Sequence, residues 1–245
     1  MDWELYAINL DTQAVSRITK SPGPDFDPSW CRDGKVVFVS DRDGQTGVDL
    51  YILDMTTGGV TRLTHDPAFL NVAPSCTPDG RAVIFTTNRD GDFEIYSIAT
   101  ETRAVNRITF SPVQDWNPQV SPDGRYIAFQ SQVQGNSEIF VMDITGRNLR
   151  RLTFNPGEDV DPAWSPDGKK IAFASNRDGN FKIYVIDATG ENEVVLTPDT
   201  NNNLHPVWSP DGRRIAFESD RTRNWEVWVI DVDGKNLKRL TGVSK

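Results

Sequence analysis

Histidine, cysteine and methionine are scarce in this 245-residue chain, at two, two and three copies. Two histidines, His65 and His205, cannot build a metal site that needs several imidazoles. Two cysteines exclude the dense disulfide framework of a small secreted domain. No apolar run is long enough to span a membrane, so membrane insertion is not expected. No stretch sustains a helical period. There is no Gly-x-Ser-x-Gly elbow for a serine hydrolase and no glycine-rich loop for a phosphate. Positive charge is in deficit, with 26 Lys and Arg against 35 Asp and Glu, a net charge of −9. That balance argues against nucleic acid as a partner. No secretory leader precedes Trp3, so the sequence reads as cytoplasmic, mature or a piece of something longer.

What the chain has instead is a repeat. Asp161-Pro162-Ala163-Trp164-Ser165-Pro166-Asp167-Gly168 returns as Asp27-Pro28-Ser29-Trp30-Cys31-Arg32-Asp33-Gly34 and as His205-Pro206-Val207-Trp208-Ser209-Pro210-Asp211-Gly212. Weaker copies centre on Gly80 and Gly124. The five glycines 34, 80, 124, 168 and 212 are spaced by 46, 44, 44 and 44 residues, a period that points to propeller blades. Cys31 follows a tryptophan and Cys76 replaces one; at these non-equivalent places they read as drift on buried strands rather than as a disulfide framework or a metal site.

Each repeat holds four short apolar segments, a to d, separated by turn signals. Segment a is the Pro-x-Trp stretch, with Pro expected at its start. It turns at Pro-Asp-Gly, where Pro fixes φ and Gly supplies a left-handed residue. Segment b is Ile171–Ser175 and its copies, c is Ile183–Asp187, and d is Leu237–Thr241. Segments b and c are apolar at consecutive positions, as expected of strands covered on both faces. Trp30, Trp164 and Trp208 are expected to pack between blades. The sequence predicts an all-β propeller of four-stranded antiparallel blades as a single domain over 1–245. A half-blade spans 1–20, and repeats span approximately 21–64, 65–109, 110–153, 154–197 and 198–241. Segments c and d occur six times, a and b five times, giving twenty-two strands. Six-blade geometry is favoured, against five-blade closure or closure through a second copy, because an open blade edge is a liability.

The composite motif Ser-Pro-Asp-Gly-x-x-Ile-Ala-Phe, Ser-x-Arg-Asp-Gly-x-x-Glu-Ile-Tyr-Val-x-Asp and Arg-Leu-Thr resembles the TolB-type, WD40-like β-propeller repeat over essentially the whole chain. That resemblance implies six blades and a platform for protein or peptide partners, in a periplasmic or other extracytoplasmic setting. In TolB the tail returns to complete the first blade; here the sequence ends at Thr241-Gly242-Val243-Ser244-Lys245 without such a strand. The same repeat occurs in oligogalacturonate lyases and beside prolyl oligopeptidase-like hydrolase domains, and fold alone does not transfer function.

Propeller ligands commonly sit where the d–a and b–c loops converge at the channel mouth. The residue three before the segment-a proline is Asp25, Asn71, Asp115, Asp159 or Asn203, and the residue just before it is Asp27, Ala73, Asn117, Asp161 or His205. Asp25, Asp115 and Asp159 are expected to pair internally, across a blade junction, with the repeated loop arginines Arg42, Arg89, Arg177 and Arg221. Asp27, Asn117, Asp161 and His205, which vary between copies, are the expected partner contacts, with Phe26 and Trp116 as aromatic anchors. Oxygens at Asp27 and Asp161 also suit Ca²⁺, although no cofactor is required. No catalytic constellation is expected. A lyase-like or metal-binding propeller, and an incomplete propeller that self-associates through its half-blade, are the alternatives. The Asp41-Arg42-Asp43-Gly44 and Asn176-Arg177-Asp178-Gly179 loops read as turns rather than calcium loops.

Overall fold

A computed structural model describes residues 3–242. The described residues form twenty-two strands in six antiparallel sheets, five of four strands and one of two. Blades of four antiparallel strands are thus present, but the favoured six-blade geometry is not reached among the described residues. The reason is compositional: there are six c–d pairs and only five a–b pairs to build with. Residues Val243–Lys245 of the tail lie outside the described residues. No helix among the described residues is long and apolar enough to cross a membrane.

The chain forms two compact units, 1–120 and 121–245. The first opens with a hairpin of β1 (Tyr6–Ile8) and β2 (Val15–Arg17). Its first full sheet comprises β3 (Asp25–Trp30), β4 (Lys35–Ser40), β5 (Asp49–Asp54) and β6 (Val60–Arg62). Its second comprises β7 (Asn71–Cys76), β8 (Ala82–Thr87), β9 (Glu94–Ala99) and β10 (Val105–Arg107), and β11 (Asp115–Val120) follows. The second unit holds β12 (Tyr126–Val133), β13 (Asn136–Asp143) and β14 (Arg150–Arg151). Two full sheets complete it. One is β15 (Asp159–Trp164), β16 (Lys170–Ser175), β17 (Lys182–Asp187) and β18 (Val194–Val195); the other is β19 (Asn203–Trp208), β20 (Arg214–Ser219), β21 (Glu226–Asp231) and β22 (Lys238–Arg239).

The consecutive apolar residues of the middle strands serve two interfaces in turn. Along β4, Val37 and Val39 face the second sheet and pack with Val83, Phe85 and Ile98. Val36 and Phe38 face the hairpin and pack with Leu5 and Ile18. In the second unit, Ala172, Ala174, Ile183 and Val185 pack on Ile215, Phe217 and Ile230 of the last sheet. Period-two alternation sends neighbours to opposite faces, so a strand buried on both faces must be apolar throughout.

Two clamps recur from sheet to sheet. The first is a ring pair between strands b and c: Phe38 lies opposite Tyr51, Phe85 opposite Tyr96, Phe173 opposite Tyr184, and Phe217 opposite Trp228. A b–c loop arginine covers each pair, with the Arg42 guanidinium 5.0 and 4.7 Å from the Phe38 and Tyr51 ring centres and Arg177 5.6 and 4.4 Å from Phe173 and Tyr184. The second clamp explains the Arg-Leu-Thr motif. The Thr64 hydroxyl accepts the Leu50 N–H (2.9 Å) and donates to Asp49 (2.5 Å), which also takes Nη2 of Arg62. Thr153, Ile139, Glu138 and Arg151 repeat it at 2.9, 2.6 and 2.7 Å.

The Ser-Pro-Asp-Gly turns are closed by their own side chains. The Ser121 hydroxyl donates to Asp123 (2.6 Å), whose carboxylate also accepts the Arg125 N–H (3.1 Å), and Gly124 takes φ +72°. The Ser121 hydrogen bond, joined by those from Arg125 and outweighing partial burial, lowers Asp123 to about 2. In the first sheet Cys31 replaces this serine and the turn becomes a short 3₁₀ segment, Arg32–Gly34, with Asp33 at φ 60°.

Cys31 and Cys76 form a disulfide, with Cα atoms 5.3 Å apart, contrary to the expectation of drift. Their non-equivalence in the repeat is what lets them meet. The strand-a residue at the tryptophan position leans on the inner strand of the preceding sheet: the Trp208 indole N–H donates to the Ala163 carbonyl (3.1 Å), and the Val120 N–H donates to Ser75 (3.1 Å). Cys76 stands at that position and so reaches back to Cys31. The bond fastens sheet one to sheet two at the place where Trp208 and Val120 make hydrogen bonds.

Replacing both cysteines by serine, or reducing the bond, is expected to destabilise the chain by about 2–4 kcal/mol, since a crosslink over this separation restricts the unfolded chain. Denaturant titration with and without reductant reads the shift, and thiol labelling should find two reactive thiols only after reduction. The lowered pKa of Asp123 means its stabilisation is complete above its ordinary value of 3.8 and is lost as pH falls through about 2. A carboxyl NMR titration should place its midpoint near 2, and Ser121→Ala should move that midpoint upward.

Candidate functional site

The residues expected in d–a loops lie inside strand a. Each of these strands begins three residues before its proline, at Asp25, Asn71, Asp115, Asp159 or Asn203, so Pro is internal rather than first. The strand tolerates it through a β-bulge: register shifts occur between Phe26 and Ser29, Val72 and Ser75, Val160 and Ala163, and Leu204 and Val207. The residue before proline is left-handed in all five copies, with φ 49° at Asp27, Ala73 and Asn117, 56° at Asp161 and 51° at His205. Asp, Asn and His are the non-glycine residues that best accept this conformation. Their recurrence therefore has a backbone reason beside any contact they offer to a partner, and Ala73 occupies the same conformation without that help.

Within the first unit, Asp27 is exposed on the inner strand and its carboxylate accepts the Ala73 N–H of the next sheet at 3.4 Å. Asn117 is half-buried on β11. Within the second unit, Asp161 takes the His205 N–H at 3.4 Å, and its own N–H donates to the Gln130 side chain at 3.0 Å. The His205 imidazole stands between two carboxylates, Nε2 3.5 Å from Asp161 and Nδ1 3.4 Å from Glu218. Its hydrogen bond holds Glu218 below the usual carboxylate range despite partial burial. Glu218 was not among the expected site residues. The repeat did carry a signal for it, because the matching strand-b positions are Val39, Thr86, Gln130 and Ala174, none of them acidic.

The aromatic candidates are packed. Phe26 meets Trp3 edge-on at 6.3 Å, and Trp116 lies 3.8 Å from Phe93 with its indole N–H on Gln114 (3.1 Å). The first residues of strand a are buried, and the arginines they meet come from their own sheet rather than from across a junction; Asn71 and Asn203 also donate to the Val48 (3.1 Å) and Phe181 (3.4 Å) carbonyls of the sheet before. Asp25 bonds Arg42 at 2.9 Å, Asp159 bonds Arg177 at 3.2 Å, Asn203 takes Arg221 at 2.9 Å and Asn71 takes Arg89 at 3.2 Å. Asp115 is buried at the same place in a repeat that has Val133 instead of the arginine. Trp164 and Trp208 pack on the cores of the second unit, whereas Trp30 is 66 % exposed.

The Arg-Asp-Gly loops are also accounted for. Asp43 accepts the Tyr51 hydroxyl (2.6 Å) and Arg62 (2.5 Å); Asp178 accepts the Tyr184 hydroxyl (2.7 Å) and Lys182 (3.4 Å). Burial, then the bond to the loop aspartate, pushes Tyr96 and Tyr184 up to about 12. No group of three or more His, Cys, Asp or Glu side chains suited to a metal ion occurs among the described residues.

The TolB beta propeller domain model matches residues 45–136 and 155–245. The chain belongs to the TolB beta propeller domain family. A tricorn protease N-terminal propeller model also matches residues 104–182. Among relatives, an uncharacterized protein of Agrobacterium fabrum is 34 % identical over 108 residues, 44 % of this chain and 36 % of that one. The Tol-Pal system protein TolB of Desulfosudis oleivorans is 36 % identical over 109 residues, 44 % of this chain and 24 % of that one. The matches thus span about a quarter to a third of these relatives' length. The crystal structure of TolB from Acinetobacter baumannii superposes with a TM-score of 0.84 at 28 % identity, covering 94 % of this chain and 57 % of that one. An oligogalacturonate lyase in complex with manganese shares the fold at 17 % identity, with a TM-score of 0.71 over 97 % of this chain and 70 % of that one.

The bulge conformation sets a measurable expectation. Ala73→Gly should stabilise the chain by about 1 kcal/mol, and Asn117→Ala should destabilise it by a similar amount, because a left-handed Ala costs about 1–2 kcal/mol. Chemical denaturation of the two variants reads both signs.

Proposed function

We propose that this chain is a non-catalytic propeller scaffold that binds a protein or peptide at the mouth of the channel its repeats would line. The observation that carries this reading is the set of inner-strand bulges. A bulge fixes the direction of one side chain per repeat, and those side chains differ from copy to copy: Asp27 and Asn117 in one unit, Asp161 and His205 in the other. The shared motif residues are spent on holding the sheets together, so recognition falls to positions the repeat leaves variable. Carboxylates at Asp27 and Asp161 suit lysine or arginine side chains of a partner, where charge-assisted bonds are strongest. The Tol-Pal membership of the relatives supports a protein partner. The Cys31–Cys76 disulfide supports an extracytoplasmic setting, since such bonds persist in oxidising compartments.

Binding of the full chain to purified Tol-Pal system proteins from the same source organism, read by surface plasmon resonance, tests the proposal. The double variant Asp27→Asn and Asp161→Asn keeps residues that tolerate the bulge and should weaken binding at least about tenfold. Undiminished affinity in the double variant would remove the inner-strand site. Absence of binding by the parent chain to all of them would remove the Tol-Pal partner class.

A further inference from the structure

Aspartate followed by glycine is prone to backbone isomerisation, because glycine leaves its own amide nitrogen unhindered for attack on the aspartate carboxyl. The chain contains nine such pairs. A carboxylate that is held elsewhere cannot reach that nitrogen, so the fold decides which pairs are open to reaction.

Eight of the nine carboxylates are held. Four take a side-chain hydroxyl together with the N–H two residues on. Asp79 has Thr77 (2.6 Å) and Arg81 (3.0 Å), and Asp123 has Ser121 (2.6 Å) and Arg125 (3.1 Å). Asp167 has Ser165 (2.7 Å) and Lys169 (3.1 Å), and Asp211 has Ser209 (2.6 Å) and Arg213 (3.1 Å). The hydroxyl bonds hold these four carboxyls below the usual carboxylate range, which keeps them ionised and unreactive. Asp43, Asp90 and Asp178 each accept a tyrosine hydroxyl from strand c. Asp233 accepts the Lys235 N–H at 3.1 Å.

Asp33 has lost both holders. The hydroxyl position is Cys31, whose sulfur is bonded to Cys76 and has no proton to donate. The turn is also one residue shorter: the Cys31 N–H meets the Lys35 carbonyl (2.8 Å), where the Ser121 N–H meets that of Tyr126 (2.8 Å). The N–H two residues on, that of Lys35, is thereby spent on the Arg32 carbonyl. The ion pair left to the Asp33 carboxylate is Arg32 Nε at 3.7 Å, too long for a hydrogen bond, between two exposed side chains. Asp33 is left-handed at φ 60°, as none of the four hydroxyl-held aspartates is, and that conformation is costly for a residue with a Cβ.

We propose that Asp33-Gly34 is the isoaspartate-forming site of this chain, and hence the place at which an isoaspartyl-directed carboxyl methyltransferase acts on it. The Gly34 amide nitrogen attacks Cγ of the protonated Asp33 carboxyl. A C–N bond forms, a C–O bond breaks, and the amide proton leaves with the hydroxyl as water. Water then adds back to the five-membered imide. Addition at Cγ, breaking the new bond to nitrogen, restores aspartate. Addition at the main-chain carbonyl, breaking the original bond to nitrogen, leaves the chain running through Cβ and Cγ beside a free α-carboxylate. One water is lost and one regained, with nothing oxidised or reduced. The product lengthens the backbone of this short turn by one carbon. Nothing in it depends on the inner-strand bulges, so it stands separately from the binding reading.

The full chain is aged for several weeks at neutral pH, with circular dichroism before and after to check that it stays folded. It is then labelled with an isoaspartyl-directed carboxyl methyltransferase and tritiated S-adenosylmethionine. Reduction, alkylation and cleavage after lysine release residues 21–35, in which electron-transfer fragmentation tells isoaspartate from aspartate at position 33. Isoaspartate is expected at Asp33 at least about fivefold ahead of every other Asp-Gly pair, the margin of a hydrogen bond that need not be broken first. That lead should vanish in denaturant. Asp33→Glu, which cannot close a five-membered ring, should remove the label. The triple variant Cys31→Ser, Arg32→Pro, Cys76→Ser restores the Ser-Pro-Asp-Gly turn and should slow the reaction at Asp33 at least about fivefold relative to Cys31→Ala, Arg32→Pro, Cys76→Ser, which lacks the same disulfide and has no hydroxyl. Label spread evenly over the pairs of the folded chain, none at Asp33, or equal rates in the two triple variants overturns the proposal.

Discussion

A buried carboxylate at the start of strand c is the charge that most blades must neutralise, and the threonine of Arg-Leu-Thr takes part in doing it. One hydroxyl closes the backbone by accepting an N–H and at the same time donates to the acid, while the arginine two residues earlier cancels its charge. Left without those partners, a carboxylate as buried as Glu138 would be strongly destabilising. Strand d is only two or three residues long, so few ladder bonds hold it. The clamp, rather than the ladder, fixes it to the sheet, and the arginine that caps the ring pair does the same for strand a.

These clamps change what the repeat motif means. Serine and aspartate of Ser-Pro-Asp-Gly bond to each other and close a turn. Arginine and aspartate of Arg-Asp-Gly cover a ring pair and anchor a tyrosine hydroxyl. The most recognisable residues in the chain are therefore the ones occupied with architecture. Individual function has to be sought at positions where the copies disagree, such as Asp27 against Ala73, or Glu218 against Ala174.

The period, the number of segments and the type of every sheet were legible in the sequence, because spacing and apolar runs report directly on strands covered twice. The internal pairing of Asp25 and Asp159 with loop arginines was legible too, although it runs within a sheet rather than between sheets. The bulge was not, because nothing in Asp-x-Asp-Pro announces that strand a begins before its proline. The disulfide was not legible for a geometric reason: its two cysteines are not equivalent in the repeat, and adjacent sheets meet here at positions offset by one residue. Trp30 shows the same limit from the other side. Its sequence context matches Trp208, yet its surroundings depend on whether a strand a precedes it.

The fourth sheet shows what such an arrangement permits over time. Lys182 stands where its sisters carry Asp or Glu, and Val195 stands where they carry Arg, while Thr197 still accepts the Ile183 N–H at 2.8 Å. Acid and base have both gone, and the hydroxyl alone remains. Either loss by itself would have stranded its opposite in the interior or crowded two cations together. In this sheet the two departures occur together, so the charge balance of the clamp is kept by a pair of residues rather than by either one alone.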